Sequence, residues 1–348
     1  MAEVGVIGTI QAITNPLYAF FNCNAKLLVV SSLKNLRDDI ANFRLYGTFF
    51  IFFITVIITV NSAILTENAN LIICYSILKG VEFLSDYEIA LLYTDKKSKN
   101  IIISSLVKSC AWLFVFASEI STVFKTLEFS MFICCILTTT SYLFIERTSR
   151  YSLINSSTIM EILRGSINYT IYGFSNGLKS SLPRIILLNN SGLEAIGILT
   201  ILNNVIRGFD MILTPYKFTI LADSSQNISY YNRIIKYINI TFILCLIFFI
   251  TLLDVPNYLS SINIIINNQI IVLFALHLYC CLRMNLIEIK VINNNISNIW
   301  RNCSIVCMLL SSPCLLIINK TGLIGCYLFY IFTNILILLF VSKRLSNQ

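Results

Sequence analysis

The stretch SLPRIILLNNSGLEAIGILTILNNVIRG, residues 181–208, decides the fold. It joins the end of one apolar run, 166–188, to the start of another, 193–214, through four small or polar residues, Asn189 to Gly192. Each run is close to the roughly 20 residues that an α-helix needs to cross a bilayer core. Working outward in both directions, the same grammar repeats. Nine further runs fall at 4–30, 46–64, 70–93, 101–122, 129–145, 234–253, 269–287, 300–318 and 322–341. The expected class is all-α: a polytopic membrane protein of about eleven transmembrane helices, with almost nothing outside the bilayer.

Composition agrees. Apolar residues make up 57% of the 348-residue chain and charged residues 12%, with a mean hydropathy of +0.79. Soluble domains carry about 25% charged residues, so an ordinary globular enzyme is excluded. The net charge of +8 does not point to nucleic acid, because the bases sit in short clusters between apolar runs rather than on one solvated face. The twelve cysteines include the adjacent pairs Cys134-Cys135 and Cys280-Cys281 inside apolar runs, and no C-x-x-C occurs. They read as small apolar fillers, not as a metal or disulfide framework. The opening residues MAEVGVIGTI lack the basic region of a cleavable signal.

The basic residues test the segment count. Odd-numbered connections hold Lys34, Arg37 and Arg44; Lys96, Lys97 and Lys99; Arg147, Arg150 and Arg164; Lys217, Arg233 and Lys236; and Arg283, Lys290 and Arg301. The C-terminal tail adds Lys343 and Arg344, whereas the even-numbered connections hold only Lys125 and Lys320. The positive-inside rule then assigns the odd connections and the C-terminus to the cytoplasm. The N-terminus falls outside, with only Met1 to Glu3 ahead of the first run, so the expectation is a twelve-helix arrangement lacking its first helix. The longest polar connection, 146–165, divides an N-terminal five-helix lobe, 1–150, from a C-terminal six-helix lobe, 151–348.

Six bases remain inside the runs: Lys26, Lys79, Lys108, Lys179, Arg184 and Arg207. Each costs about 2.5–3.5 kcal/mol at a helix centre on insertion scales. Lys26 and Lys108, near run ends, can snorkel. In LIICYSILKGVEFLSDYEIALLYT, residues 71–94, Lys79, Glu82 and Asp86 share an arc of about 60°. They suit either an ion-pair ladder between helices or a cavity-facing site whose carboxylates take a proton or cation. In 166–188, Gly173 and Gly177 form a G-x-x-x-G suited to close helix approach, and Pro183 is expected to break or kink the helix. Arg207 and Asp210 lie one turn apart and can pair with each other. His277, the single histidine, reads as a hydrogen-bonded interior residue rather than a proton relay.

No phosphate-binding G-x-x-x-x-G-K-[ST] loop, H-E-x-x-H or G-x-S-x-G occurs. The short connections leave no room for a catalytic domain, so no catalytic residue, metal ligand or cofactor is assigned. The stretch from Pro183-Arg184 through Gly192, Glu194, Ala195, Gly197 and Ile198 resembles the polysaccharide (O-antigen) flippase family of the multidrug/oligosaccharidyl-lipid/polysaccharide exporter superfamily. EVGVIGTIQAITNPLYAFFNCN near the start, and the K-x-x-E-x-x-S-D pattern at Lys79, Glu82, Ser85 and Asp86, are similar to that family as well.

The resemblance implies twelve helices in two lobes around a cationic cavity. It also implies export of undecaprenyl-diphosphate-linked oligosaccharide across the bacterial inner membrane by alternating access, coupled to ion antiport. Carried over, Lys79, Lys179, Arg184 and Arg207 would contact the anionic head group, and Glu82, Asp86 or Asp210 would carry a coupling proton or sodium ion. The partners implied are the lipid-linked oligosaccharide, membrane lipid and that ion. Two other readings stay open: a small-molecule or drug exporter of the same fold, and a membrane polysaccharide polymerase, against which the short outer loops count.

Overall fold

A computed structural model describes residues 2–22, 37–94, 127–144, 156–222, parts of 235–243, 268–293 and 297–346. All regular structure in them is helical. The elements are α1 (Ala2–Asn22), α2 (Arg37–Val60), the single turn α3 (Ala63–Thr66), α4 (Ala69–Thr94), α5 (Leu127–Phe144), α6 (Ser156–Ala222), α7 (Asn268–Asn293), α8 (Ser297–Thr321) and α9 (Leu323–Ser346). Among the described residues, six helices are long and apolar enough to cross a membrane, by length and composition. The chain is thus a polytopic all-α membrane protein. The predicted runs at 101–122 and, for the most part, 234–253 lie outside the described residues.

Helix α6 spans 67 residues, about 100 Å at 1.5 Å per residue, far more than one bilayer crossing. It is interrupted at a single position. Gly192 has φ 76° and ψ −174°, a conformation open essentially to glycine alone. The break falls in the link between the two apolar runs that the sequence separates. The break predicted at Pro183 does not occur, because neighbouring groups satisfy the backbone there. Tyr330 Oη donates to the carbonyl of Ser180 at 3.2 Å, and Cys326 Sγ approaches the Pro183 carbonyl at 3.8 Å. The pyrrolidine ring therefore sits in a continuous, buried helix.

The described chain forms two compact units, Met1–Ala12 with Leu178–Gln348, and Ile13–Gly177. In the first, α9 packs against α7 and α8, and Gly322 (φ 59°) turns α8 directly into α9. The start of α1 lies against the segment after Gly192: a Cβ on Gly5 would fall 2.0 Å from the Leu193 carbonyl oxygen. Val6, Ile10, Leu187, Ile196, Leu199, Tyr327 and Phe329 are buried there. In the second unit α4 packs between α2 and α5. The rest of α1 runs against Gly173 and Gly177, where added Cβ atoms would lie 3.2 Å from the Ala19 carbonyl oxygen and 2.7 Å from Pro16 Cα. The G-x-x-x-G therefore does what its spacing predicts.

Surface composition is inverted relative to a soluble protein. On α2, Phe49, Phe53, Ile57 and Val60 form one exposed stripe at helical spacing, and Leu309 and Leu316 are exposed on α8. Arg44, Glu88 and Arg184, by contrast, are buried. Apolar faces outward and polar groups inward are what hydrocarbon solvent selects.

Two glycine substitutions separate backbone strain from packing. Gly192→Ala meets nothing within 4 Å, so its cost comes from the backbone conformation alone, about 1–3 kcal/mol. Gly177→Ala drives Cβ into the Pro16 backbone and costs about 1–3 kcal/mol by overpacking. Thermal unfolding in detergent, followed by size-exclusion recovery, should show both losses; wild-type stability in either variant would contradict the corresponding assignment.

Candidate functional site

Charged and polar side chains converge inside each unit. In the unit Ile13–Gly177, α4 carries the sequence-predicted Lys79, Glu82 and Asp86. Lys79 Nζ lies 2.5 Å from Glu82 Oε2, one turn along the helix, and the two side chains are 20% and 14% exposed. Lys79 Nζ also sits 5.9 Å from the centroid of the buried Tyr75 ring. Ser85 Oγ donates to the Glu82 carbonyl at 3.0 Å. Glu82 is near enough to Tyr18 on α1 and Cys134 on α5 for its charge to act on both. The pair thus faces neighbouring helices and keeps partial exposure. Asp86 is half-buried one turn further on.

Arg44 is a correction. Counted with the polar connection between the first two runs, it is an interior residue of α2, 1% exposed. Its guanidinium donates to the Asn22 side-chain oxygen and to the Phe83 carbonyl. It lies 3.8 Å from the centroid of the Phe83 ring and 5.5 Å from that of Tyr87. A planar cation with five donors can cap the end of α1 and stack on α4 at once, which makes its burial tolerable. Arg283 is likewise helical rather than in a connection: its Nε and an Nη bond Tyr279 Oη, one turn back on α7, at 2.9 and 2.6 Å. At Arg44 the helix begins ahead of the apolar run 46–64, whereas Arg283 lies within the run 269–287 itself.

In the other unit, Arg184 is 1% exposed, and its Nη1 donates to Gln11 Oε1 on α1 at 2.8 Å. Lys179, five residues earlier on α6, donates from Nζ to Asn334 Oδ1 on α9 at 2.8 Å. Asn334 Nδ2 in turn lies 3.4 Å from His277 Nδ1 and 3.6 Å from Cys281 Sγ, both on α7. The His277 ring stacks on Tyr330 with centroids 5.0 Å apart and planes at 21°. Asn334 is buried, 1% exposed, and His277 is 7% exposed. Among the described residues no carboxylate pairs with Lys179, whose hydrogen bond goes to a neutral amide. Arg207 and Asp210 are on α6, but their side chains lie outside the described residues.

The sequence singled out Lys179, Arg184, Lys79, Glu82 and Asp86, and the structure brings Lys79 together with Glu82. It missed Gln11 and Asn334, the amides that accept from Arg184 and Lys179. Neither carries a motif, and their bonds span 173 and 155 residues of chain. Among the described residues no group of three or more His, Cys, Asp or Glu side chains is arranged to hold a metal ion. The described cysteines, including Cys134-Cys135 and Cys280-Cys281, are all unbridged.

Compared by sequence, the chain matches no protein-family model and no curated protein. Compared by fold, it is similar to a multidrug resistance MATE family transporter of the MOP superfamily in its outward-facing conformation. That match has a TM-score of 0.60 at 13% identity, covering 99% of this chain and 88% of the other. It is also similar to an inward-facing conformation of such a transporter, with a TM-score of 0.57 at 10% identity over 99% and 91% of the two chains. A crystal structure of MATE in complex with Br-NRF aligns at a TM-score of 0.50 and 12% identity, over 99% and 86%. The fold is therefore similar to that of these transporter structures.

The Arg44 and Arg283 settings differ enough to be tested against each other. Arg44→Met removes donors from two separate helices in a buried site and should cost about 1–3 kcal/mol. Arg283→Met, losing bonds to its own helix in a half-buried position, should cost less. Detergent thermal unfolding of both variants checks this; an equal or larger loss for Arg283→Met would contradict the role given to Arg44.

Proposed function

We propose that the chain is a transporter that moves a lipid-linked anionic oligosaccharide, with an undecaprenyl-diphosphate carrier, across the bacterial inner membrane by alternating access. The observation that carries this reading is the Lys179 ammonium inside a membrane helix bundle, hydrogen-bonded to the neutral amide of Asn334. Its charge is left to attract an anion. A base in hydrocarbon is expensive, and its usual reason for being there is a functional one. Diphosphate and acidic sugars are the natural partners of ammonium and guanidinium groups. In this reading Lys79, Lys179, Arg184 and Arg207 attract the head group. Glu82, Asp86 and Asp210 carry the coupling proton or sodium ion. At Glu82 the coupling has a simple form: an ion taken by the carboxylate weakens its hold on Lys79 and frees that ammonium for substrate. The C-terminus is assigned to the cytoplasm by the charge bias of the connections.

A second reading, export of small molecules or drugs, is favoured by the described neighbours being multidrug resistance transporters. The two readings differ in the charge of the cargo. Expression in a strain lacking its lipid-linked-oligosaccharide flippase should restore surface polysaccharide, and Lys179→Met should lower that restoration at equal membrane abundance. Failure to restore polysaccharide, together with raised resistance to cationic dyes, would overturn the flippase reading in favour of drug export.

A further inference from the structure

Asn334 lies between two bases. Its Oδ1 accepts from Lys179 Nζ at 2.8 Å, and its Nδ2 faces His277 Nδ1 at 3.4 Å. An amide has one accepting end and one donating end. With Lys179 protonated, the carbonyl end is committed to the ammonium. The NH2 end then requires a lone pair on His277 Nδ1, so the imidazole is neutral with its proton on Nε2. If Nδ1 gains a proton, two donors face each other and that contact fails. Turning the amide over repairs it, because Oδ1 then accepts from Nδ1–H, but Nδ2 now faces Lys179. That end is satisfied only if Lys179 has become a neutral amine with a lone pair. Each orientation of the amide therefore fits one protonated base and one neutral base.

We propose that Lys179, Asn334 and His277 form a single-proton site, in which the amide lets either base hold the proton but not both. The exchange balances: Lys-NH3+ with neutral His becomes Lys-NH2 with HisH+, one proton moved and no net change in charge. The surroundings favour one charge over two. Among the described residues, the other titratable groups facing the pair are Cys281 on α7, Tyr327 and Tyr330 on α9, and, toward Lys179, Cys280 on α7 and Cys307 on α8. These are thiols and phenols, which bring no negative charge while protonated. Among the described residues no carboxylate pairs with either base, and a second cation in so buried a place would meet both desolvation and like-charge repulsion.

The consequence for transport is a switch on the substrate-binding base. With the proton on Lys179 the site is a cation that attracts an anionic head group from the α6 side. With the proton on His277 the charge moves to α7 and Lys179 loses its hold. This use of the switch rests on the reading proposed above; the shared proton itself does not, and it is measured without substrate.

His277 is the only histidine in the chain, so selectively 15N-histidine-labelled protein, purified in detergent without a histidine tag, gives one imidazole to titrate by NMR. Lys179→Met removes the competing base, and the imidazole midpoint should rise by about one pH unit or more. Asn334→Asp places a carboxylate between the bases, lets both be charged, and should also raise the midpoint. That variant keeps the test available if Lys179→Met does not fold. A midpoint unchanged from wild type in the folded variants would overturn the single-proton site. A raised midpoint in protein that fails to restore polysaccharide would leave the site standing and remove the flippase reading.

Discussion

A backbone amide in hydrocarbon has no water to bond, so it must find its partner within its own helix or on a neighbouring side chain. This constraint governs the rest of the molecule. It explains why all the described regular structure is helical. It also explains why α6 continues through Pro183, where Tyr330 Oη serves the Ser180 carbonyl, and why its one lapse is at Gly192, in the link between two apolar runs. The same requirement extends to side chains. The buried bases reach specific acceptors: Arg44 the end of α1 and the Phe83 carbonyl, Arg184 the Gln11 amide, Lys179 the Asn334 amide.

The buried bases differ in the acceptors that they reach. Arg44 bonds two helices and stacks on an aromatic ring, which is a way of fastening α1 to α4. Lys79 is met by Glu82, one turn along the same helix, which offsets its charge. Lys179 is held by an amide that also contacts His277, an arrangement that orients the ammonium without cancelling it. A membrane protein built only for stability would have little reason to keep such a base, since an apolar side chain would serve better there.

Much of the architecture was legible because the bilayer imposes a length. The runs at 46–64, 70–93, 129–145, 269–287, 300–318 and 322–341 fall on α2, α4, α5, α7, α8 and α9. The link at Asn189 to Gly192 marks the break in α6, and Gly173 and Gly177 mark a close approach. What the sequence did not disclose follows from the same physics. Hydropathy sees where the apolar face ends, not where the helix ends, so Arg44, just ahead of the run 46–64, was placed in a connection although its helix already begins at Arg37. Pro183 does not break the helix, and the donor that serves the Ser180 carbonyl beside it, Tyr330, is 150 residues from Ser180 in the chain, so no local pattern announced it. Gln11, His277 and Asn334 gave no periodic or motif signal for their contacts, because those contacts join helices remote in the chain. Lys179 and Arg184 could be singled out by charge alone; the amides that set their roles could not.

The central claim, movement of an anionic lipid-linked oligosaccharide by this fold, is tested most directly in proteoliposomes. A fluorescent polyprenyl-diphosphate oligosaccharide is incorporated in both leaflets, and an impermeant reductant is added outside. The account predicts that the inner-leaflet label, protected in protein-free vesicles, becomes accessible when the protein is present. Protection equal to that of protein-free vesicles, with the protein folded and inserted, would contradict it.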